Sequence, residues 1–214
     1  MPSELIFETI VTTAARDAQG RLQGHIAPMG LRRGDDGRGE DWVLMPFRPS
    51  GTLDNILALG TAVVNFCDDV RIFAGCVTGR RDWPLAPTEQ LPGLRLQAGL
   101  AHAELRLRAV DDHAQRPTLH FDCVHLAQHV PFAGYNRAQS AVIEGAVLVS
   151  RLHLLSAEKI DTELRYLQIG IDKTAGPREH EAWAWLLEAV AAHRARTAPA
   201  EASVNPAPSA PDAA

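Results

Sequence analysis

The chain has 214 residues, of which 46% are hydrophobic and 22% charged, and its formal net charge is −5. That composition describes a globular protein of one large domain, or one domain with an annex, and it carries no general attraction for nucleic acid. There is no basic stripe or aromatic RNA-binding motif, and no apolar run long enough to span a bilayer.

The first residues, MPSELIFETIVTT, put an acid where a secretory leader would be basic, and they alternate instead of forming an apolar block, so the sequence reads as cytoplasmic. Cys67, Cys76 and Cys123 lack metal or redox spacing and read as small buried hydrophobes in a reducing compartment. Residues 5–13 predict a strand, 17–20 a turn, and 22–31 a second strand completing a hairpin. Within the second strand, Pro28 removes a ladder donor and Gly30 a side chain, which predicts an edge or a bulge. Such an interruption leaves backbone groups that a flat heterocycle can pair with, although Pro28 also serves simply to protect an edge. Residues 32–41, RRGDDGRGED, predict a solvated hairpin tip.

Residues 42–47, WVLMPF, predict a short strand; 48–52, RPSGT, a turn; 53–59 a two-turn helix closed by Gly60; and 61–66, TAVVNF, another strand. A helix N-terminus presents unpaired N–H groups and a partial positive charge, and so suits a phosphate. Arg48 adds a charged fork, Ser50 and Thr52 add hydroxyls, Gly51 permits close approach, and Asn55 can turn back to the same place. Each also has an ordinary explanation: Thr52 an N-cap, Gly51 a turn, Arg48 a surface residue. Asp54, in the first helical turn, opposes an anion.

Asp69 is expected to cap a helix over 70–77, and 79–94, rich in proline and glycine, reads as an irregular loop. Residues 94–110 and 118–126 predict two long strands joined at 111–117. His120, Cys123, His125 and His129 invite a metal, but alternation points His120 away from Cys123 and His125, and no metal site is expected. Beyond 130 the pattern turns helical: 137–155 capped by Asn136, 157–171 capped by Ser156, and a helix opened by Pro177 over 178–194. The tail from 196 to 214 is rich in proline and alanine and is expected to be disordered. There is no P-loop, GxGxxG or GxSxG motif, and no nucleophile can be assigned.

The motifs ETIVTT (8–13), IAPMG (26–30), PFRPS (46–50), NFCDDV (65–70), YNRA (135–138) and AVIE (141–144) resemble the family known as domain of unknown function 447, within the flavin reductase-like FMN-binding split barrels. The resemblance covers nearly everything except the tail. It implies an α+β fold: a six-stranded, Greek-key-like antiparallel split β-barrel over 1–130 with a C-terminal helical annex over 131–195. It implies a homodimer with FMN near the interface. Arg48, Ser50, Gly51, Thr52 and Asn55 would hold the phosphate and ribityl chain, and Ala27, Pro28 and Met29 would lie along the isoalloxazine. From their polarity and position alone, Asn136, Arg137 and Lys173 are expected to approach from the annex. The implied function is that of an oxidoreductase acting on a small, pterin-like molecule; the alternative is a non-catalytic flavin-binding or accessory protein of one-carbon cofactor metabolism.

Overall fold

In the computed structural model, residues 5–35 and 40–197 are described. The chain starts with a long antiparallel hairpin, β1 (Ile6–Arg16) and β2 (Leu22–Asp35), in register with Ile10 opposite Pro28. Its turn is closed by Asp17, whose Oδ1 accepts the N–H groups of Gln19 and Arg21, both at 2.9 Å, while Gly20 takes the φ of 78° that disfavours any other residue. β3 (Glu40–Leu44), α1 (Gly51–Leu59), β4 (Thr61–Phe66) and α2 (Arg71–Thr78) follow. Next come a small hairpin of β5 (Leu85–Pro87) and β6 (Leu94–Leu96), and the long pair β7 (Ala101–Asp111) and β8 (Thr118–Gln128). The C-terminal part is α3 (Arg137–Ser150), a single 3-10 turn at Leu152–Leu154, α4 (Ala157–Thr174) and α5 (Pro177–Thr197).

Six strands close into an antiparallel barrel in the order β1-β2-β3-β8-β7-β4, with β4 returning to β1. The fold is α+β, a six-stranded barrel with helices, as the resemblance implied. Alternation along the strands divides the hydrophobic residues into two cores. Val11, Leu31, Leu44, Val64, Leu105 and Phe121 fill the barrel, and α1 plugs its end with Leu53 and Ile56. Ile10 and Ile26 point the other way and meet Phe73 of α2 and the apolar faces of α3 and α5.

Several boundaries differ from those the sequence predicts, each for a physical reason. β2 runs on through Asp35 and β3 begins at Glu40, because pairing between them continues past the charged residues; the tip, 36–39, lies outside the described residues. α1 starts at Gly51 and is capped by Ser50, not Thr52. α2 starts one residue late, with Asp69 accepting the Arg71 N–H at 3.2 Å while the Arg71 guanidinium grips its carboxylate at 2.9 and 2.7 Å. The stretch 79–94 is not wholly irregular. β5 and β6 pair there, and this detaches β6 from the strand predicted over 94–110. β6 is instead tied across the barrel wall, where Thr12 Oγ1 donates to Leu94 O at 2.5 Å and Asn65 Oδ1 accepts the Leu96 N–H at 2.8 Å. α3 stops at Ser150, and the tighter turn that follows buries Leu152 and leaves Leu154 exposed. Of the predicted tail, Arg196 and Thr197 close α5, and 198–214 lie outside the described residues.

The helices are packed closely enough to test. A Cβ on Gly145 of α3 would stand 2.8 Å from Trp183 Cζ3 and 3.0 Å from Leu186 Cδ1 of α5. Trp183 is further fixed by its indole N–H, which donates to Gln168 of α4 at 2.7 Å. Gly145→Val is therefore expected to destabilise the protein by about 1–3 kcal/mol, the usual cost of overpacking, in urea unfolding followed by circular dichroism.

Candidate functional site

α1 enters the fold at the end of the barrel, and its first turn faces the middle of the β1–β2 hairpin. Ser50 is extended, with φ −158°, and its Oγ accepts the Leu53 N–H at 3.3 Å. The Gly51 and Thr52 N–H groups, at the very start of the helix, have no intrahelical acceptor and point out of its positive end. Opposite them stands His25: a Cβ added to Gly51 would lie 3.8 Å from its ring. Asn55 Nδ2 donates to Thr13 Oγ1 at 3.1 Å, and Thr13 is the cross-strand partner of His25. Ser50, Gly51, Thr52 and Asn55 thus meet Thr13 and His25 at one corner. Burial pushes the His25 pKa down, and the positive charge of Arg81 lowers it further.

Arg48 points elsewhere. Its guanidinium lies 3.0 Å from Asp112 Oδ1 in the β7–β8 connection, where both side chains are exposed.

From His25, β2 leads to Ala27, Pro28 and Met29. Alternation puts His25, Ala27 and Met29 on one face of the strand and Pro28 and Gly30 on the other. Met29 packs against the barrel core, and its carbonyl accepts from Thr9 Oγ1 at 2.8 Å. Pro28, Met29 and Gly30 form one wall of a cleft of about 420 Å³, with Phe73 of α2 and Ile143 of α3 across it. Glu8, Arg32, Arg116 and Arg151 stand around the same cleft. Asn136, Arg137 and Lys173 are not among its lining. Asn136 caps α3 and donates to Thr174 O at 3.0 Å, Arg137 borders a separate cleft of about 270 Å³ between α3 and α4, and Lys173 lies exposed in the last turn of α4. The arginines of the cleft were not anticipated: Arg116 and Arg151 are brought to Pro28 only by the closed fold. His25 was the one residue with a readable signal, since it stands immediately before the motif that holds Pro28.

Comparison with known proteins now places the chain. Residues 7–130 match the family described as protein of unknown function (DUF447) N-terminal domain, and residues 136–188 the one described as protein of unknown function (DUF447). The chain belongs to the DUF447 family. Among solved structures it is similar to an FMN-bound DUF447 protein from Methanosarcina mazei, with 20% identity and a TM-score of 0.73, over 87% of this chain and 95% of that one. This likeness establishes the common fold. A flavoredoxin from Methanosarcina acetivorans is more distant, with 14% identity and a TM-score of 0.47 over 60% of this chain and 73% of that one. A Pseudomonas fluorescens 2-nitrobenzoate 2-nitroreductase has 20% identity and a TM-score of 0.47 over 57% and 65%. No curated protein matches the chain. No helix among the described residues is long and apolar enough to cross a membrane.

In this DUF447 chain the four residues His120, Cys123, His125 and His129 do not converge. His120 turns to two carboxylates, with Nδ1 2.8 Å from Asp41 Oδ2 and Nε2 3.2 Å from Asp111 Oδ2. Cys123 Sγ contacts the His125 carbonyl at 3.5 Å, and burial pushes its thiol pKa up. His125 and His129 join His102 instead, a residue with no signal of its own in the sequence. Burial opposes charge on His120, yet the hydrogen bonds to Asp41 and Asp111 prevail and hold its pKa above the usual value. A raised pKa in the folded state gives stability that is fully present below about pH 6.5 and is lost as pH rises through the folded value. Wild type should therefore lose its Tm advantage over His120→Gln between mildly acidic and mildly alkaline pH; a constant Tm difference across that range would contradict the ion-pair account.

Proposed function

We propose that the protein binds FMN with its phosphate at the N-terminus of α1 and its ring along β2, and that it works as an oxidoreductase on a small molecule. The observation that carries this reading is the corner where Ser50, Gly51, Thr52 and Asn55 meet Thr13 and His25. Its donor set fits a phosphate monoester: outward-facing N–H groups, hydroxyls, an amide and an imidazole, with Arg81 nearby. The FMN-bound member of the same family supports it further.

Bound FMN supplies the redox chemistry, and the protein supplies position and electrostatics. Ser50, Gly51, Thr52 and Asn55 hold the phosphate and ribityl chain. Ala27, Pro28 and Met29 lie along the ring, where Pro28 offers a carbonyl and a flat side chain without an N–H. Arg48 has to leave Asp112 to reach the phosphate. An exposed ion pair contributes only about 0–1 kcal/mol, so a dianion can outcompete it. The arginines around the cleft favour an anionic substrate or electron donor.

The finer parts of the reading have separate supports. Leu126, Val130, Phe132 and Tyr135 are exposed apolar residues at and beyond the end of β8, and a homodimer would cover them. The unpaired cysteines accord with a reducing cytoplasm. A pterin-like substrate rests on family context and not on any residue of the cleft.

The test is the visible spectrum of the purified protein after addition of FMN and desalting, with retention near one equivalent expected. Gly51→Asp puts a carboxylate where the phosphate would sit and still suits the helix dipole, so the variant should fold and fail to retain FMN. Arg48→Ala should weaken FMN binding by roughly 1.5–3 kcal/mol, the range for a hydrogen bond to a charged group. A folded wild-type protein that retains no flavin would overturn the reading. Steady NAD(P)H oxidation by the loaded protein distinguishes an enzyme from a flavin carrier.

A further inference from the structure

On the outer face of the barrel, under the turn between β5 and β6, three imidazole and two carboxylate groups collect away from the flavin groove. Glu104 of β7 is fully buried and accepts three N–H groups of that turn: Glu89 at 2.6 Å, Gln90 at 2.9 Å and Leu91 at 2.7 Å. It thereby fixes the backbone of Glu89. His102 lies two residues before Glu104 and so shares its face, and His125 of β8 is the cross-strand partner of Glu104. The register between β7 and β8 therefore puts His102 and His125 side by side, with ring centroids 5.8 Å apart, and the pinned turn lowers Glu89 onto them.

One ligand atom each from Glu89, His102 and His125 lies within 4.8 Å of the others. His125 Nε2 is buried and lies 3.0 Å from Glu89 Oε2, in a direction that does not complete a hydrogen bond. His102 is fully buried and its Nδ1 is 2.9 Å from Nε2 of His129, whose ring is parallel to it. Its Nε2 is only 3.4 Å from Glu104 Oε1, near the outer limit of a hydrogen bond. This is how a metal-bound histidine is ordinarily supported, with one nitrogen for the ion and the other held by an outer group.

We propose that Glu89, His102 and His125 form a site for a divalent first-row transition-metal ion, with His129 and Glu104 as its supporting shell. Two imidazoles and one carboxylate form a borderline donor set that suits zinc and its neighbours better than calcium or magnesium. With metal–ligand bonds of about 2.0–2.1 Å, tetrahedral ligand atoms stand roughly 3.4 Å apart, so the three groups need to close by little more than an ångström. Glu89 is half exposed and can make most of that movement. Three protein ligands leave a coordination position for water or a small anion. The ion also fastens the β5–β6 turn to β7 and β8. The site is independent of the flavin reading, and either can fail alone.

The experiment is equilibrium dialysis of the untagged full-length protein against Zn²⁺, with metal analysis, and the absorption spectrum of the Co²⁺ form as a report on coordination. Wild type should bind one equivalent of Zn²⁺, with Co²⁺ bands of a four-coordinate site. His125→Ala and Glu89→Gln alter partly exposed side chains, and each should weaken binding by more than the roughly 10–100-fold that loss of an outer-shell partner costs. His129→Phe should fall within that outer-shell range, while His113→Ala, at an exposed turn, should bind as wild type does. No zinc on folded wild type overturns the proposal, and so does one zinc that His125→Ala and Glu89→Gln leave undisturbed.

Discussion

The rest of the structure depends on β1 being buried on both faces. From Thr9 to Ala14 every residue is buried, with Val11 inside the barrel and Ile10 in the core shared with the helices. A slip of one residue in the β1–β2 register would exchange these two sets, so the pairing of Ile10 with Pro28 is fixed from both sides. The threonines that a doubly buried strand must tolerate are all engaged. Thr9 donates to Met29 O, Thr12 to Leu94 O, and Thr13 accepts from Asn55. Each of these bonds also places a piece of the candidate sites: the groove on β2, the β5–β6 hairpin and α1.

Two buried polar side chains do for the outer wall of the barrel what β1 does for its interior. Asn65 donates to Ile10 O at 3.0 Å and Thr12 Oγ1 at 3.1 Å, and accepts the Leu96 N–H at 2.8 Å. Glu104 takes the three N–H groups of residues 89–91 on its two oxygens. Burial alone would raise the Glu104 pKa, but those N–H groups prevail and hold it below the ordinary value. Either residue replaced by an apolar one would leave a buried backbone N–H without its partner, that of Leu96 or of Leu91, at about 1–3 kcal/mol. The short hairpin therefore owes its position to two specific polar anchors more than to its own three-residue strands.

This explains which parts of the molecule were legible in the sequence. β1, β2, β4 and the three C-terminal helices could be read because their periodicity is local and long enough to be unambiguous. The helix start at 50–52 was legible for the same reason: its hydroxyls, glycine and helix lie within a few residues of one another. The β5–β6 hairpin was not, because nothing within 79–94 reveals that Asn65 and Glu104 wait to bond it. Nor were the partners of the histidines. His102 and His125 are adjacent only through the register of β7 and β8, which carries irregularities between Glu104 and Leu105 and between Leu107 and Ala109. The placement of Arg48 against Asp112, 64 residues away, depends on closure of the whole barrel.

The distribution of charge gives the candidate flavin groove a further property. The chain as a whole is acidic, at −5, yet Arg32, Arg116 and Arg151 stand around the cleft beside Pro28, and the charge of Arg81 acts on His25. In a cleft with low-dielectric walls such a cluster concentrates positive potential locally while the remaining surface repels polyanions. On the proposed reading, acidic net charge and an arginine-lined groove act together to favour a compact anion.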